Sequence, residues 1–182
     1  MSDFPPINPG PEDDRTPPLT RLLVVVPSWL GDAVMCTPAL RIIRELLPGA
    51  FIGALVRPGI DQLLGGSSLF DEAHVDRAMG VMGPKRVASK VRGHRYQAAV
   101  IFTNSFSSAL ITRLAGIPRR TGYDRDGRGL LLTDRPAAPK RRDLDPYSAS
   151  TTKPGAWAPV PACDYYFGLA RAFLRSYGLE AG

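Results

Sequence analysis

Asp32 is the side chain in this sequence best suited to acid–base chemistry. It closes the loop 27–32, which contains Ser28 and Gly31 and directly follows the aliphatic run Leu22–Val26. The dipole of a helix favours an ionised carboxylate near the first turn, and an ionised carboxylate at a crevice accepts the proton of an incoming hydroxyl group. Aspartate is also a preferred helix cap, and spacing alone leaves both interpretations open.

A second polar loop carries Asn104 and Ser105, directly after the buried run 98–102. Amide and hydroxyl groups hydrogen-bond to sugar hydroxyls and to phosphate oxygens. The alternative is ordinary turn chemistry, with Ser107 capping the helix that follows.

The positive charge is concentrated in residues 113–142, where nine basic residues face three acidic ones. That surplus equals the net charge of the whole chain, +6, and it favours an anionic partner. Arg119 and Arg120 are adjacent, and their planar guanidinium groups can grip phosphate or carboxylate in a bidentate manner. A solvated charged face is the other interpretation. Helix-turn-helix, zinc-finger and RNP signatures are missing, so no nucleic-acid partner is predicted.

The sequence favours no cofactor or metal. Gly31 is the only glycine in its loop, so neither the dinucleotide fingerprint GxGxxG nor a P-loop is present. The acidic pairs Asp124–Asp126 and Asp143–Asp145 follow no strand, which argues against a metal site there. We interpret His74 and His94, which lie apart in sequence, as surface or structural residues.

Cysteine content and hydropathy predict a cytoplasmic protein. Cys36 and Cys163 form no CxxC pair and are interpreted as free thiols in a reducing compartment. The first twenty residues lack the apolar segment of a secretory signal. No apolar run approaches the roughly 20 residues that a membrane-spanning helix needs.

The elements that position these residues alternate between strand and helix. The run 22–26, a helix with Leu40, Ile43 and Leu47 on one side, and the run 51–56 form a βαβ unit. Strand 98–102 and helix 107–115 repeat the pattern. This alternation predicts an α/β, Rossmann-like fold: a mostly parallel sheet with helices on both faces and its ligand crevice at the carboxyl ends of the strands.

The length of 182 residues indicates one domain. Six prolines and four acidic residues in 1–20 predict a disordered leader, and the domain proper spans 21–178. Within it, residues 134–161 lack periodicity and are predicted to form a long mobile loop. Tyr166, Leu169 and Phe173 have the spacing of a terminal amphipathic helix over 164–177.

Four blocks in this order resemble one enzyme family. They are the segment from Val24 to Met35 with the Thr37–Arg41 that follows, Asn104-Ser105-Phe106 with Ser108-Ala109-Leu110, Ile117 to Tyr123, and Tyr165-Tyr166 to Leu169-Ala170. Together they are similar to the ADP-heptose:lipopolysaccharide heptosyltransferases, glycosyltransferase family 9. The match runs over roughly residues 21–178.

The resemblance implies an inverting, metal-independent GT-B enzyme, in which one Rossmann-like domain holds the acceptor and a second holds ADP-heptose. Asp32 would be the catalytic base. The acceptor is the anionic inner core of lipopolysaccharide. The residues that would bind it are Ser28, Gly31, Asn104, Ser105, Arg119 and Arg120.

Members of that family are considerably longer than this chain. We therefore expect the chain to be the acceptor-binding half, inactive unless a donor-binding domain or partner chain is supplied, with peripheral contact at the inner membrane. Two alternatives belong to other classes. One is a non-catalytic α/β module that binds nucleic acid or an anionic membrane surface through residues 113–142. The other is a small nucleotide-binding enzyme complete at this length.

Overall fold

Five parallel strands form a single sheet in the computed structural model, which describes residues 18–77, 80, 82–138 and 160–179. The spatial order of the strands is β3-β2-β1-β4-β5. Their bounds are β1 Arg21–Val25, β2 Phe51–Val56, β3 Glu72–Val75, β4 Ala98–Ile101 and β5 Arg119–Thr121.

Helices cover both faces of the sheet. Their bounds are α1 Leu30–Met35, α2 Thr37–Leu46, α3 Ile60–Leu63, α4 Gly83–Arg92, α5 Phe106–Leu114 and α6 Ala162–Arg175, with a 3₁₀ helix at Arg128–Leu131. The helices α1, α2 and α6 share one core with the sheet, and α4 and α5 share the other. The predicted α/β, Rossmann-like fold is therefore confirmed.

The position of β1 at the centre of the sheet explains its uninterrupted aliphatic run Leu22–Val25. Leu22 and Val24 point into the core beneath α2 and α6, whereas Leu23 and Val25 point into the core beneath α4 and α5. All four are 3% exposed or less. A parallel strand covered on both faces buries successive residues on opposite sides, so no position is left for a polar side chain.

The segment that follows the first loop is two helices rather than one. α1 ends at Met35 and α2 begins at Thr37, with Cys36 between them and Pro38 in the first turn of α2. Proline is tolerated in a first turn, because its missing N–H would have no partner within the helix. The Thr37 hydroxyl donates to the carbonyl of Val34 over 2.7 Å, so it joins the two helices instead of capping the second.

Neither β5 nor the 3₁₀ helix was predicted from the sequence. β5 is only three residues long, and two of them are arginines. It pairs with β4 in the register Ala98 to Arg119 and Val100 to Thr121. Helix α5 also begins at Phe106 with Ser105 as its N-cap, so the expectation that Ser107 caps this helix is wrong.

The ends of the predicted leader and loop fall partly within the described residues. Thr20 donates its backbone N–H to the Gln97 side chain over 2.7 Å and its carbonyl accepts from Phe51. Asp134, the first residue of the predicted loop, forms a bridge with Thr121. Residues 1–17 and 139–159 lie outside the described part. Among the described residues, no helix is long and apolar enough to cross a membrane.

Candidate active site

The two polar loops meet at the carboxyl edge of the sheet. Val25, at the end of β1, pairs with Ile101 of β4 on one side and with Leu55 of β2 on the other. The segments that follow these three strands therefore emerge side by side, where parallel α/β sheets bind their ligands. A small cavity at this edge is lined by Ser28, Arg57 and Thr103, among others.

Asp32 is the third residue of α1 and lies in its first turn, half-buried. The N-cap of α1 is Trp29, and no side chain of the loop makes a capping hydrogen bond. The interpretation of Asp32 as the helix cap is therefore wrong. Its carboxylate stands at the positive end of the short helix without being needed to complete its backbone hydrogen bonding.

The neighbours of the Asp32 carboxylate are neutral, proton-bearing groups. Burial, followed by the charge of Asp32, raises the pKa of the Tyr166 hydroxyl. Burial and the Asp32 charge also raise the pKa of the Cys36 thiol. Both neighbours stay protonated at neutral pH, and Tyr166 reaches this neighbourhood from α6.

Asn104 links three parts of the structure at the second loop. Its Oδ1 accepts a hydrogen bond from the Tyr165 hydroxyl of α6 over 3.0 Å and a longer one of 3.5 Å from Nη2 of Arg128. The Tyr165 ring lies 4.6 Å from the ring of Tyr123. Asn104 itself remains exposed, so its amide group is placed at the cleft surface.

Ser105 is the neighbouring residue, and its hydroxyl serves the helix. Its Oγ accepts from the Ser108 backbone N–H over 3.3 Å and is hydrogen-bonded to the Ser108 hydroxyl. The Thr103 hydroxyl donates to Ser108 over 2.6 Å. This hydroxyl network fixes the turn that carries Asn104.

Arg128 lies fully buried behind the second loop. Its guanidinium donates to the Tyr123 carbonyl over 2.9 Å and 2.8 Å and also to the Thr103 carbonyl. Burial lowers the pKa of this guanidinium, and the Tyr165, Asp126 and Asp124 charges oppose the shift. Carbonyl oxygens thus satisfy a buried cation, which ties the 3₁₀ helix to the loop at Thr103 and Asn104.

Arg119 and Arg120 are not brought to this edge. They pair with Ala98 and Ala99 at the beginning of β4, toward the amino end of the sheet. Arg119 donates to Asp134 over 3.2 Å and lies 4.4 Å over the ring of Tyr177.

Arg120 is 8% exposed. It donates to the carbonyls of Leu131 over 2.7 Å and Pro118 over 3.1 Å. With Arg128, three of the nine basic residues of 113–142 are used inside the fold, which weakens the alternative of an anion-binding module.

Sequence reasoning missed Arg57, Arg128 and Tyr166 as residues of this edge. Arg57 directly follows the predicted strand 51–56 and contacts Asp76, with 3.5 Å between Nη1 and Oδ2. The parallel-sheet rule that selected the other two loops applies equally to this one, so the signal was available. Arg128 and Tyr166 reach the edge through long-range packing, for which the local sequence carries no signal.

These elements define a Rossmann-like domain with a carboxylate at its carboxyl edge. Comparison with known proteins relates the chain to one enzyme family. Residues 85–145 match the family model described as Glycosyltransferase family 9 (heptosyltransferase). The resemblance predicted from the motifs is therefore confirmed.

Individual relatives carry more particular names. The chain is 32% identical over 118 residues to lipopolysaccharide heptosyltransferase 2 of Escherichia coli K12 and 33% identical to that of Salmonella typhimurium. These matches cover 63% of this chain and 34% of each relative, so the chain spans about a third of the curated relatives it matches. Within that family the four sequence blocks are most similar to those of heptosyltransferase II, and these relatives bear that name.

Solved structures show the same fold. The E. coli ADP-heptose LPS heptosyltransferase II superposes with a TM-score of 0.64 at 28% identity, covering 83% of this chain and 40% of that one. The E. coli heptosyltransferase WaaC with ADP gives a TM-score of 0.65 at 18% identity, covering 90% and 48%.

Proposed function

We propose that the protein takes part in transferring heptose from ADP-heptose to the inner core of lipopolysaccharide, and that this chain supplies the acceptor-binding part of the enzyme. The observation that carries the proposal is the position of Asp32. It is a half-buried carboxylate at the carboxyl edge of the sheet, in the first turn of a helix that it does not cap. The names of the relatives supply the substrates.

Asp32 acts as the general base in this proposal. Its carboxylate takes the proton of an acceptor heptose hydroxyl while the hydroxyl oxygen forms a bond to the anomeric carbon. The bond from that carbon to the ADP phosphate oxygen breaks, and ADP leaves with its electron pair. Attack from the face opposite ADP inverts the anomeric centre, and the reaction needs no metal. The hydroxyl of Tyr166 on α6 lies close enough to interact with the carboxylate.

The other residues predicted to bind the acceptor differ in how well their positions suit that role. Ser28 lines the cavity at the carboxyl edge, Asn104 is exposed in the loop after β4, and Gly31 is exposed in the first turn of α1, next to Asp32 in sequence. Ser105 contributes mainly by fixing Asn104. The basic side chain that suits an anionic acceptor here is Arg57, which is 44% exposed, whereas Arg119 and Arg120 support the fold.

In this proposal ADP-heptose, the donor, binds to a part of the enzyme that lies outside the region matched by this chain. Near Asp32, helix α1 and its N-cap residue expose apolar side chains: Trp29 (77%), Leu30 (59%) and Val34 (52%). Exposed apolar side chains beside a reactive group suit an interface, and we assign this surface to the donor-binding domain or chain. We expect the assembled enzyme to work in the cytoplasm, in peripheral contact with the inner membrane that carries its acceptor.

The reaction is tested by substituting Asp32→Asn in the chain joined to the donor-binding part of a family relative. Loss of a general base lowers turnover by about 10²- to 10⁴-fold, and the assay measures heptose transfer from ADP-heptose to core oligosaccharide. Asp164→Asn is the matched control, because Asp164 is an exposed carboxylate in the first turn of α6. An Asp32→Asn enzyme as fast as the control would remove Asp32 from the mechanism.

Acceptor binding is tested on the 182-residue chain by calorimetric titration. We expect binding of core oligosaccharide that weakens in Arg57→Gln, together with little binding of ADP. Tight ADP binding without oligosaccharide binding would instead support a nucleotide-binding enzyme. Salt-sensitive binding of DNA alone would support the anion-binding module.

A further inference from the structure

The only two histidines of the chain come together with a glutamate on one face of the sheet. Glu72 and His74 are alternate residues of β3, so both point to the side of the sheet that carries α4. His94 reaches the same place from the turn after α4. Its ring centroid lies 4.4 Å from that of His74. Residues about 20 positions apart therefore meet at one point.

The three side chains present ligand atoms to a common space. Nδ1 of His74 lies 3.4 Å from Oε1 of Glu72, and Nδ1 of His94 lies 3.5 Å from Oε2 of the same carboxylate. One ligand atom from each residue lies within 4.8 Å of the other two. Tetrahedral zinc with bonds of about 2.0–2.1 Å places neighbouring ligand atoms about 3.3–3.4 Å apart. The two nitrogen–oxygen separations, each to a different oxygen of the Glu72 carboxylate, are close to this spacing.

The surroundings hold both imidazole rings in orientation. Nε2 of His74 is hydrogen-bonded to the Tyr96 hydroxyl over 2.6 Å, which leaves its Nδ1 directed at Glu72. His94 stacks on the ring of Tyr96 at 5.7 Å with an interplanar angle of 15°. Metal-bound histidines commonly use the second ring nitrogen for such a hydrogen bond, which fixes the ring and its tautomer.

We propose that Glu72, His74 and His94 bind one zinc ion. Two imidazole nitrogens and a carboxylate form a donor set that zinc accepts, with water as the fourth ligand. Both histidines are half-buried and Glu72 is exposed, so the ion has access from solvent. The site lies on the face of the sheet opposite α1 and α6, and it is independent of the proposed transfer reaction, which uses no metal.

Bound zinc would stabilise the edge strand β3. β3 pairs only with β2 in the described sheet, and the ion would connect it to the segment between α4 and β4. An ion that binds the folded state alone stabilises that state by mass action. The site is thus a structural one, whose loss loosens β3 and the turn at His94.

The experiment adds zinc to the full chain after treatment with a chelator. We expect calorimetry to show one ion per chain, and the melting temperature to rise by about 5–10 °C at zinc concentrations about 100 times Kd. Only two histidines contribute imidazole signals in the NMR spectrum, and both should shift together. A chain that takes up no zinc, or more zinc with no effect on either imidazole, would refute the proposal.

Substitutions separate this site from adventitious binding. His94→Gln and Glu72→Gln should each weaken zinc binding at least tenfold, since a ligand is removed. Glu45→Gln, at an exposed carboxylate of α2, should leave it unchanged. Cys163 is exposed, so all variants are made in a Cys163→Ser background. Equal zinc affinity in His94→Gln and Glu45→Gln would mean that zinc binds without His94, which would refute the proposed site.

Discussion

At the scale of single residues, the glycine at position 53 makes room for the cluster on β3. A Cβ atom at Gly53 would lie 1.8 Å from the Tyr96 hydroxyl oxygen and 3.1 Å from Nε2 of His74. Tyr96 is 3% exposed and its ring stacks near Phe51. The hydroxyl therefore occupies the space that any other residue type would fill.

Gly53→Ala should destabilise the protein by about 1–3 kcal/mol, because the new methyl group forces a buried tyrosine to move. Urea unfolding followed by circular dichroism measures the loss. Gly49→Ala is the control, since a Cβ there meets no atom within 4 Å. A Gly53→Ala protein as stable as the control would mean that the Tyr96 ring shifts without cost.

Single residues also show the limit of reading chemistry from sequence. The position of Asp32 followed from the loop after a predicted strand, because that rule depends only on chain order. His74 and His94 looked unrelated, because their meeting depends on how β3 and the turn after α4 pack. Arg119 and Arg120 looked available for a ligand, whereas Asp134 and Tyr177 contact Arg119, and backbone carbonyls such as that of Leu131 accept from Arg120.

At the scale of secondary-structure elements, the beginning of α5 determines the geometry of the second loop. Ser105 supplies the cap, and its hydroxyl also contacts Ser108, which in turn accepts from Thr103. Removing that hydroxyl leaves a backbone N–H of the first turn without its partner and loosens the turn that presents Asn104.

Ser105→Ala should lower the free energy of unfolding by about 0.5–2 kcal/mol, the usual cost of losing a serine cap. Ser107→Ala provides the comparison, because Ser107 is exposed and lies two residues further along, inside the helix. Thermal unfolding of both variants measures the difference. Greater destabilisation by Ser107→Ala than by Ser105→Ala would mean that Ser105 is not the residue that caps α5.

Elements with strong hydrophobic runs were predictable, and short ones were not. β1 from Leu22 onward, β2 and β4 are buried on both faces, so these segments are apolar throughout. β5 has Arg120 buried in its middle and Thr121 at its end. A buried arginine satisfied by carbonyl groups has the composition of a surface segment, so no local pattern distinguishes it from a loop.

At the scale of the whole molecule, α6 completes the core that begins with β1. Phe173 is 0% exposed and shares a core with Leu22 and Val24. The same helix brings Tyr165 and Tyr166 to the candidate site. The amphipathic spacing predicted this helix, but its partners could not be predicted, because the contacts join opposite ends of the sequence.

Phe173→Ala should lower the free energy of unfolding by about 3–5 kcal/mol, through lost burial and the cavity left behind. Phe106→Ala, at a position 45% exposed, should cost far less. Circular dichroism and hydrogen exchange of the β1 amides should report the same loss if α6 and the sheet unfold together. Unchanged protection of β1 in Phe173→Ala would instead make α6 a separately unfolding unit.

The closure of one sheet face by α6 also constrains synthesis of the protein. A ribosome releases β1, α2 and β2 before α6, and their apolar side chains on that face are not fully covered until α6 emerges. Between the synthesis of β2 and that of α6, the nascent polypeptide therefore exposes a strip of aliphatic residues. Chaperones that recognise such strips would have their longest opportunity to act on this chain before residue 175 is added.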